Sequence, residues 1–552
     1  MAQLKLPKNF ATVAASMKKH CWSDEQEEIF EWFESGSGNL VVRARAGTGK
    51  TSTLLEGINW APEQRILLAA FNKSIADEMK SRVINPAVRV QTLHSLGLSI
   101  CRRHVDKLEV DAHGERARAL SKAACVAVLK RHEKPVKKFD FDVIAAVTNL
   151  HTKIREILVD PVGDFELEQQ RLATDKERAA SFNRFHNDMQ RFANRFDIGV
   201  ESDDFWDLNT LIEAALEAVK LAKVPAQKID FADMIFLPLV NGWATSVPCD
   251  LLVIDESQDM SEAQLNLALS AVSPTGRICL VGDERQAIYG FRGADIDSLD
   301  RLKEALGAQE LGLTTTYRCA KTIVDVARNF ASDFQAAPTA VAGEVIELVE
   351  VGEIFRLAEP GDFILSRTNA ALVVVCTGLR DAGKRVIIKG SDIGARLGRL
   401  LDRLEREYSY TVTDVHRAME AWYKVEKTKL SKLEKAAADE KRADLDDLYQ
   451  MLGSFTQLGG GLMVVRTAIA ATFSEDASDK MIVCSTVHKA KGLEANRVFL
   501  LAYTFRRNAR EEENICYVAA TRAKTTLFLV GRTRREFLQG GTLIENAAAD
   551  TW

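Results

Sequence analysis

The segment from Ala44 to Ser52 reads Ala-Arg-Ala-Gly-Thr-Gly-Lys-Thr-Ser, follows the apolar run Leu40, Val41 and Val42, and precedes residues that can continue as a helix. Strand, glycine-rich loop and helix in that order form a P-loop, so the chain is expected to be an α/β protein that binds a nucleoside triphosphate. Gly47 and Gly49 allow backbone N–H groups to turn inward around phosphates with no Cβ in the way. Ala46, Thr48 and Ser52 complete the cradle, Lys50 can reach the outer phosphates, and the Thr51 hydroxyl can ligate Mg²⁺. The first glycine of the general pattern is Ala44 here.

At 552 residues the chain exceeds what one core supports, so several domains are expected. Its 46% hydrophobic and 27% charged residues suit a soluble globular protein. The nine cysteines are scattered without a C-x-x-C pair, and Cys101 with His104 has ligand-like spacing but no second pair. That usage predicts reduced, intracellular thiols. The start of the chain lacks the apolar core of a signal peptide, and no run of 18 apolar residues occurs, which predicts a protein that is not secreted and has no membrane partner. A formal net charge of -5 excludes a uniformly basic coat for nucleic acid but leaves a local basic groove open.

Before the P-loop, Trp22 to Phe30 reads as a helix capped by Ser23 or Asp24, with Ile29, Phe30 and Phe33 on one face. Gln26 has the donor and acceptor that an adenine edge requires; taken alone it reads as a surface glutamine. Two further runs, Arg65 to Lys73 and Val88 to Ser95, read as strands that end in polar tips. Ligands collect at the carboxyl ends of strands in open α/β sheets, so Phe71, Asn72, Thr92 and His94 stand where a substrate could lie. Individually, a core phenylalanine or a packed histidine is the commoner reading. Residues 99–228 read as an all-helical insertion whose many Lys and Arg are balanced by acids. The α/β pattern resumes at Ile229. The strand Asp250 to Ile254 then ends in Asp255-Glu256-Ser257-Gln258-Asp259, where Asp255 can hold Mg²⁺ and Glu256 can orient the attacking water. The strand Arg277 to Val281 leads to Gln286, suited to sensing a terminal phosphate, and shortly afterwards to Tyr289, Phe291 and Arg292, suited to nucleic acid.

From here the chain resembles superfamily 1 DNA helicases of the UvrD, PcrA and Rep type. Leu313-Thr-Thr-Thr-Tyr-Arg-Cys319 is similar to that family's L-x-x-x-Y-R segment, and Thr486 to Glu494 matches its T-x-H-x-x-K-G-L-E motif. Glu511 to Ala523 matches its closing E-E-x-x-x-x-Y-V-x-x-T-R-A motif. Ala70 to Ala76 and Gly290 to Ala294 lean toward the branch containing the F-box DNA helicases, although no F-box is apparent.

The resemblance implies two RecA-like P-loop motor domains, each a parallel sheet flanked by helices with a mostly helical insertion. The expected boundaries are residues 1–98 with 229–312, insertion 99–228, then 313–391 with 480–552, and a reduced insertion 392–479. Within that insertion, the leucine-spaced run from Lys424 to Leu452 suggests long exposed helices. ATP would lie between the motors. Gln26 would read the adenine edge, Tyr317 would stack on the ring, Glu494 would approach the ribose, and Gln286 would sense the γ-phosphate. Arg318 and Arg522 would act as arginine fingers beside the catalytic Lys50, Asp255 and Glu256, with Thr51 and Asp255 on Mg²⁺. Phe71, Asn72, Thr92, His94, Tyr289, Phe291, Arg292, Thr486 and His488 would contact DNA. Two residues depart from the family pattern: Ser52 replaces an arginine that flanks adenine, and Phe291 replaces a stacking tryptophan. The implied activity is an ATP-dependent, 3'-to-5' DNA helicase or translocase on single strands and single/double-strand junctions. It would separate strands or displace proteins in replication, recombination or repair, as a monomer, in the cytoplasm with the nucleoid or in a nucleus, with replication or recombination proteins as partners of unknown identity. The alternative is an ATP-gated nucleic-acid-binding subunit of a nuclease or defence complex that does not unwind.

Overall fold

A computed structural model describes residues 22–35, 37–136, 141–196, 198, 205–246, 248–289, 298–408, 415–430, 435–456, 462–474, 480–506 and 510–539. The first sheet consists of β1 (Leu40–Ala44), β2 (Ile66–Ala70), β3 (Val88–Thr92), β4 (Cys249–Ile254), β5 (Val272–Gly282) and β6 (Gln309–Leu313), in the order β3-β2-β4-β5-β1-β6. Every pairing in it is parallel. Side chains alternate across the sheet, and both faces are buried: Val41, Leu252 and Ile254 enter one core, while Val42, Leu251 and Val253 enter the other. Helices α1 (Asp24–Ser35), α2 (Lys50–Trp60), α3 (Lys73–Arg82) and α4 (Leu93–His104) accompany this half. Helix α4 runs unbroken through residues 98 and 99, where the sequence suggested a domain break, because its apolar face Leu93, Leu96, Ile100 and Cys101 stays buried throughout.

The first insertion contains α5 (Glu115–Arg131), α6 (Phe141–Ile157), α7 (Pro161–Arg171), α8 (Asp175–Arg195) and α9 (Leu208–Ala222), around a core of its own. Beyond the expected helices it has a short parallel ladder, Glu109–Val110 against Lys228–Ile229, which closes its base. The chain re-enters through α10 (Phe231–Val240), with α11 (Glu262–Ser270) following β4. Here Arg155, fully buried on α6, meets Asp230 at 2.8 Å and Asp233 at 2.5 Å, and these two aspartates form the capping box of α10.

The second sheet comprises β7 (Glu344–Leu348), β8 (Phe363–Ser366), β9 (Val386–Lys389), β10 (Phe473–Ser474), β11 (Ile482–Thr486), β12 (Ala495–Leu501) and β13 (Ala523–Val530), in the order β7-β13-β12-β8-β11-β9-β10 and all parallel. Helix α12 (Asn369–Asp381) packs on it, and the second insertion supplies α13 (Ser391–Tyr408), α14 (Val415–Leu430), α15 (Lys435–Thr456) and α16 (Leu462–Thr472). The helices suggested for Lys424 to Leu452 exist, but they are not exposed throughout. Leu445, Leu448 and Leu452 are buried, and Asp447 accepts hydrogen bonds from the N–H groups of Asn369 and Ala370 at 3.1 and 2.7 Å. The spacing of those leucines gives α15 one apolar face, and α12 covers it. Helix α17 (Arg510–Ala520) lies against the first half. Among the described residues, no helix is long and apolar enough to cross a membrane, and the eight described cysteines are buried and form no disulfide.

Candidate functional site

The strand order puts β4, β5 and β1 side by side, so three loops emerge together at their carboxyl ends. After β1, Gly47 (φ 71°) and Gly49 (φ 82°) adopt the left-handed backbone that curls the loop, and α2 begins at Lys50. After β4, Asp255 Oδ2 stands 3.4 Å from the Thr51 hydroxyl, and Glu256 Oε1 lies 3.3 Å from Lys50 Nζ. Glu256 has φ 52°, a strained value for a residue with a Cβ, and Asp255 Oδ1 secures it by accepting its N–H at 2.9 Å. After β5, Gln286 donates to Asp283 at 2.7 Å, and the Gln258 amide links the second and third loops by donating to Glu256 at 2.6 Å and accepting from Asp283 N–H at 3.1 Å.

The two adjacent carboxylates are driven apart in acidity. Burial, reinforced by the Glu256 charge, raises the Asp255 carboxyl to about 7. Burial acts on Glu256 too, but Lys50, Lys491 and the Gln258 amide outweigh it and hold that group at about 2. Burial also lowers Lys50, yet Glu256, Asp283 and Asp255 together keep it above its ordinary value. The hydroxyl of Thr51 and the carboxylate of Asp255 make a hard, all-oxygen donor pair, which fits Mg²⁺ because that ion keeps waters and substrate oxygens in its remaining positions.

The opposite wall comes from the segment that leaves β6 and from the second sheet. Tyr317, 53% exposed, donates its N–H to the Gly47 carbonyl at 2.9 Å, and a Cβ on Gly47 would lie 2.5 Å from Arg318 Cβ. Arg318 pairs with Glu494, which also holds Lys524 at 2.7 Å, so in this arrangement Glu494 serves the arginine. Arg522 is 1% exposed and donates to the carbonyls of Val518 and Leu493 and to the Thr521 hydroxyl. Burial and the neighbouring Arg318 pull it down to about 10, which leaves a cation at neutral pH that an approaching anion would stabilise. Gln26 is buried. Its Oε1 accepts from Ser23 N–H at 3.1 Å and its Nε2 donates to Thr53 at 2.9 Å, which orients the amide and leaves one N–H and one lone pair for a base edge. Ser52 accepts from Arg82 Nη2 at 2.9 Å, so a guanidinium from α3 stands beside it.

On the adjoining face, Phe71 and Tyr289 stack at 6.3 Å and 12°, and the Tyr289 hydroxyl donates to the His488 carbonyl at 3.0 Å. Three aromatic side chains, from the loop after β2, the loop after β5 and the second half, are brought together, with the Tyr289 and His488 rings 6.4 Å apart. Asn72 Oδ1 and Thr92 Oγ1 cap α3 and α4, accepting from Ile75 N–H and Ser95 N–H. His94 lies just past β3 in the first turn of α4, next to Phe231, and burial lowers its pKa. Thr486 ends β11 and is largely buried. Phe291 and Arg292 lie outside the described residues.

Several residues to which the sequence assigned no role complete the cleft. Lys491 reaches across to both Asp259 oxygens at 2.7 and 2.6 Å and to the Gln286 carbonyl at 2.6 Å, with its ammonium 5.0 Å from the Tyr289 ring centroid. Its partner Asp259 is raised to about 6 by burial, against the pull of this lysine. Arg45, inside the P-loop, binds Asp283, Glu284 and, through three bonds of 2.9 to 3.1 Å, Asp333. Tyr517 accepts the Ala46 N–H at 3.0 Å, and Asn514 donates to the carbonyls of Glu284 and Ala287. Phe231 is 56% exposed beside His94, an aromatic surface that its place inside the Asp230–Asp233 capping box did not announce.

A family model described as the UvrD/REP helicase N-terminal domain matches residues 22–306, and one described as the UvrD-like helicase C-terminal domain matches residues 391–533. The chain is 30% identical to DNA helicase IV of Escherichia coli (strain K12) over 322 residues, which is 54% of this chain and 45% of that protein. It is 26% identical to the ATP-dependent DNA helicase PcrA of Staphylococcus aureus (strain Mu50 / ATCC 700699) over 318 residues, 55% of this chain and 39% of that protein. The matched stretch spans less than half the length of either relative.

Proposed function

The chain belongs to the UvrD/REP helicase family, and from that premise we propose that it is an ATP-driven motor on single-stranded DNA, moving 3'-to-5' and separating strands or displacing bound proteins. The observation that carries this reading is the meeting of two walls at Gly47: Lys50, Thr51, Asp255, Glu256 and Gln286 on one side, Arg318 and Arg522 on the other. Phosphate oxygens arriving at the loop compete with Glu256 for Lys50. That removes the largest attraction holding Glu256 acidic and leaves it better able to orient and deprotonate water. Mg²⁺ bound by Thr51 and Asp255 would supply charge neutralisation on the phosphates. Arg318 and Arg522 supply positive charge where negative charge develops, a contribution of ~10³ to 10⁵ in rate for such arginines.

Phe71, Tyr289 and Phe231 offer aromatic faces for bases, each worth about 1 to 3 kcal/mol of stacking. Lys491 and the Tyr289 hydroxyl join that face to the Gln286 loop, so a base bound there and a phosphate bound at the loop act on the same residues. Melting a DNA base step costs ~1.4 kcal/mol on average, a load that one hydrolysis per step can carry. The test is DNA-stimulated ATP hydrolysis followed by strand displacement on 3'-tailed, 5'-tailed and forked duplexes, with an RNA control. Hydrolysis with neither displacement nor translocation on any tail would instead favour an ATP-gated binding subunit.

A further inference from the structure

Glu25 precedes Gln26 in α1 and is half-buried. Its carboxylate accepts the Thr314 N–H on both oxygens at 3.2 and 3.1 Å, the Thr314 hydroxyl at 2.5 Å, and the Thr315 N–H at 3.4 Å. Thr314 is the first residue after β6, so these bonds grip the chain where it leaves the first sheet. Immediately downstream, Thr315 and Thr316 pair with Gln335 and Ala336, Tyr317 bonds to the Gly47 carbonyl, and Arg318 packs on Gly47. A carboxylate that receives two backbone donors and a hydroxyl from one short segment fixes the direction of that segment, since each donor constrains it along a different line.

The neighbour of Glu25 on the same helix is the residue facing the loop. Consecutive helical side chains diverge by about 100°, so one rigid element can present Gln26 to Thr53 and the nucleotide loop while turning Glu25 to the crossover. We propose that Glu25 is a positioning residue that ties the helix carrying Gln26 to the crossover carrying Tyr317 and Arg318, so that the arginine across the cleft is set by the element that reads the base. This rests on the ATP-hydrolysing reading of the site. Glu25 itself touches neither phosphate nor base; its effect passes through Arg318. The inferred coupling is sensitive because misplacing a catalytic group by about 1 Å costs on the order of 10²-fold in rate.

Steady-state ATP hydrolysis with saturating single-stranded DNA, alongside thermal unfolding, tests this in five proteins: the natural chain, Glu25→Ala, Thr314→Val, Arg318→Ala and the double variant Glu25→Ala/Arg318→Ala. Glu25→Ala should lower kcat by ~30-fold and change KM for ATP by less than ~3-fold. Thr314→Val keeps the backbone donors and loses only the hydroxyl, so its kcat should fall by about 3-fold. In the Arg318→Ala background the Glu25 substitution should cost less than ~2-fold, because what it positions is already gone. Effects that multiply in the double variant, or a kcat within ~2-fold of natural for Glu25→Ala, overturn the inference. A lowered melting temperature with unchanged kcat also overturns it, since that is the signature of a purely structural contact. A natural chain that hydrolyses no ATP overturns the proposed function and this inference together, whereas an active natural chain with an indifferent Glu25 overturns the inference alone.

Discussion

Gly47→Ala probes the approach of the two walls most directly. Gly47 has φ 71°, where a residue with a Cβ is strained by ~1 to 2 kcal/mol. The added methyl would also lie 2.5 Å from Arg318 Cβ and 2.7 Å from Thr316 Oγ1. A Cβ cannot swing aside without its backbone, and carbon contacts settle near ~3.5 to 4.0 Å, so the crossover must retreat by about 1 Å. Overpacking of this kind costs ~1 to 3 kcal/mol, which with the backbone strain makes roughly 2 to 5 kcal/mol. A 1 Å retreat of Arg318 predicts on the order of 10²-fold loss of kcat. Gly49→Ala is the control: φ is 82° there, but the nearest atom to an added Cβ is Gln26 Nε2 at 3.4 Å, so it strains the loop without pushing the far wall. The assays are DNA-stimulated ATP hydrolysis, titration with a fluorescent ATP analogue, and thermal unfolding. Gly49→Ala should lose mainly nucleotide affinity and Gly47→Ala mainly kcat. Equal profiles, or a Gly47→Ala kcat within about 3-fold of natural, would refute the cross-cleft contact.

Lys50→Ala should abolish hydrolysis, because it removes the loop cation that pairs with Glu256; undiminished turnover would show that the phosphates bind elsewhere. Lys491→Met leaves Asp259 buried without its lysine and should cost ~3 to 5 kcal/mol in urea unfolding, while suppressing stimulation by DNA. An unchanged stimulation ratio would mean that Lys491 only holds the halves together. Arg155→Leu leaves Asp230 and much of Asp233 uncompensated inside the protein and should cost a similar ~3 to 5 kcal/mol; a neutral effect would mean that the aspartates are neutral in the native state. Phe231→Ala should weaken oligo(dT) binding by ~1 to 3 kcal/mol in fluorescence anisotropy, and unchanged affinity would remove it from the DNA face.

The residues legible in the sequence were those whose chemistry is local. The glycines, Lys50 and Thr51 act through one loop. Asp255 and Glu256 follow an apolar strand, and the switch from Leu251–Ile254 to adjacent carboxylates marked its end. Gln26 was readable as a capped-helix glutamine, but its role as an oriented amide depends on Thr53, 27 residues away. Asn72 and Thr92 were marked for a ligand by their place after strands; the helix-capping bonds accepted by their side-chain oxygens appear only in the structure, where those oxygens meet the free N–H groups of the next turn. The leucines of α15 announced a helix without saying which neighbour would cover them.

What the sequence determined alone is the class of the fold and the identity of the chemical groups: alternating buried strands and helices, a phosphate loop, paired carboxylates and two arginines in ordered motifs. Only the tertiary structure decided which groups share a cleft. The strand order β4-β5-β1 gathers the P-loop with two loops that lie some 200 residues further along the chain, and the crossover after Leu313 turns Arg318 onto Gly47. The contacts of Glu25, Arg45, Lys491 and Asn514 were not legible even where these residues sit inside recognisable motifs, because their partners lie hundreds of positions away, at 289, 288, 232 and 230 residues' separation. Periodicity reports what one element buries, whereas an ion pair or hydrogen bond across a cleft exists only after the sheets have set the distance between its ends.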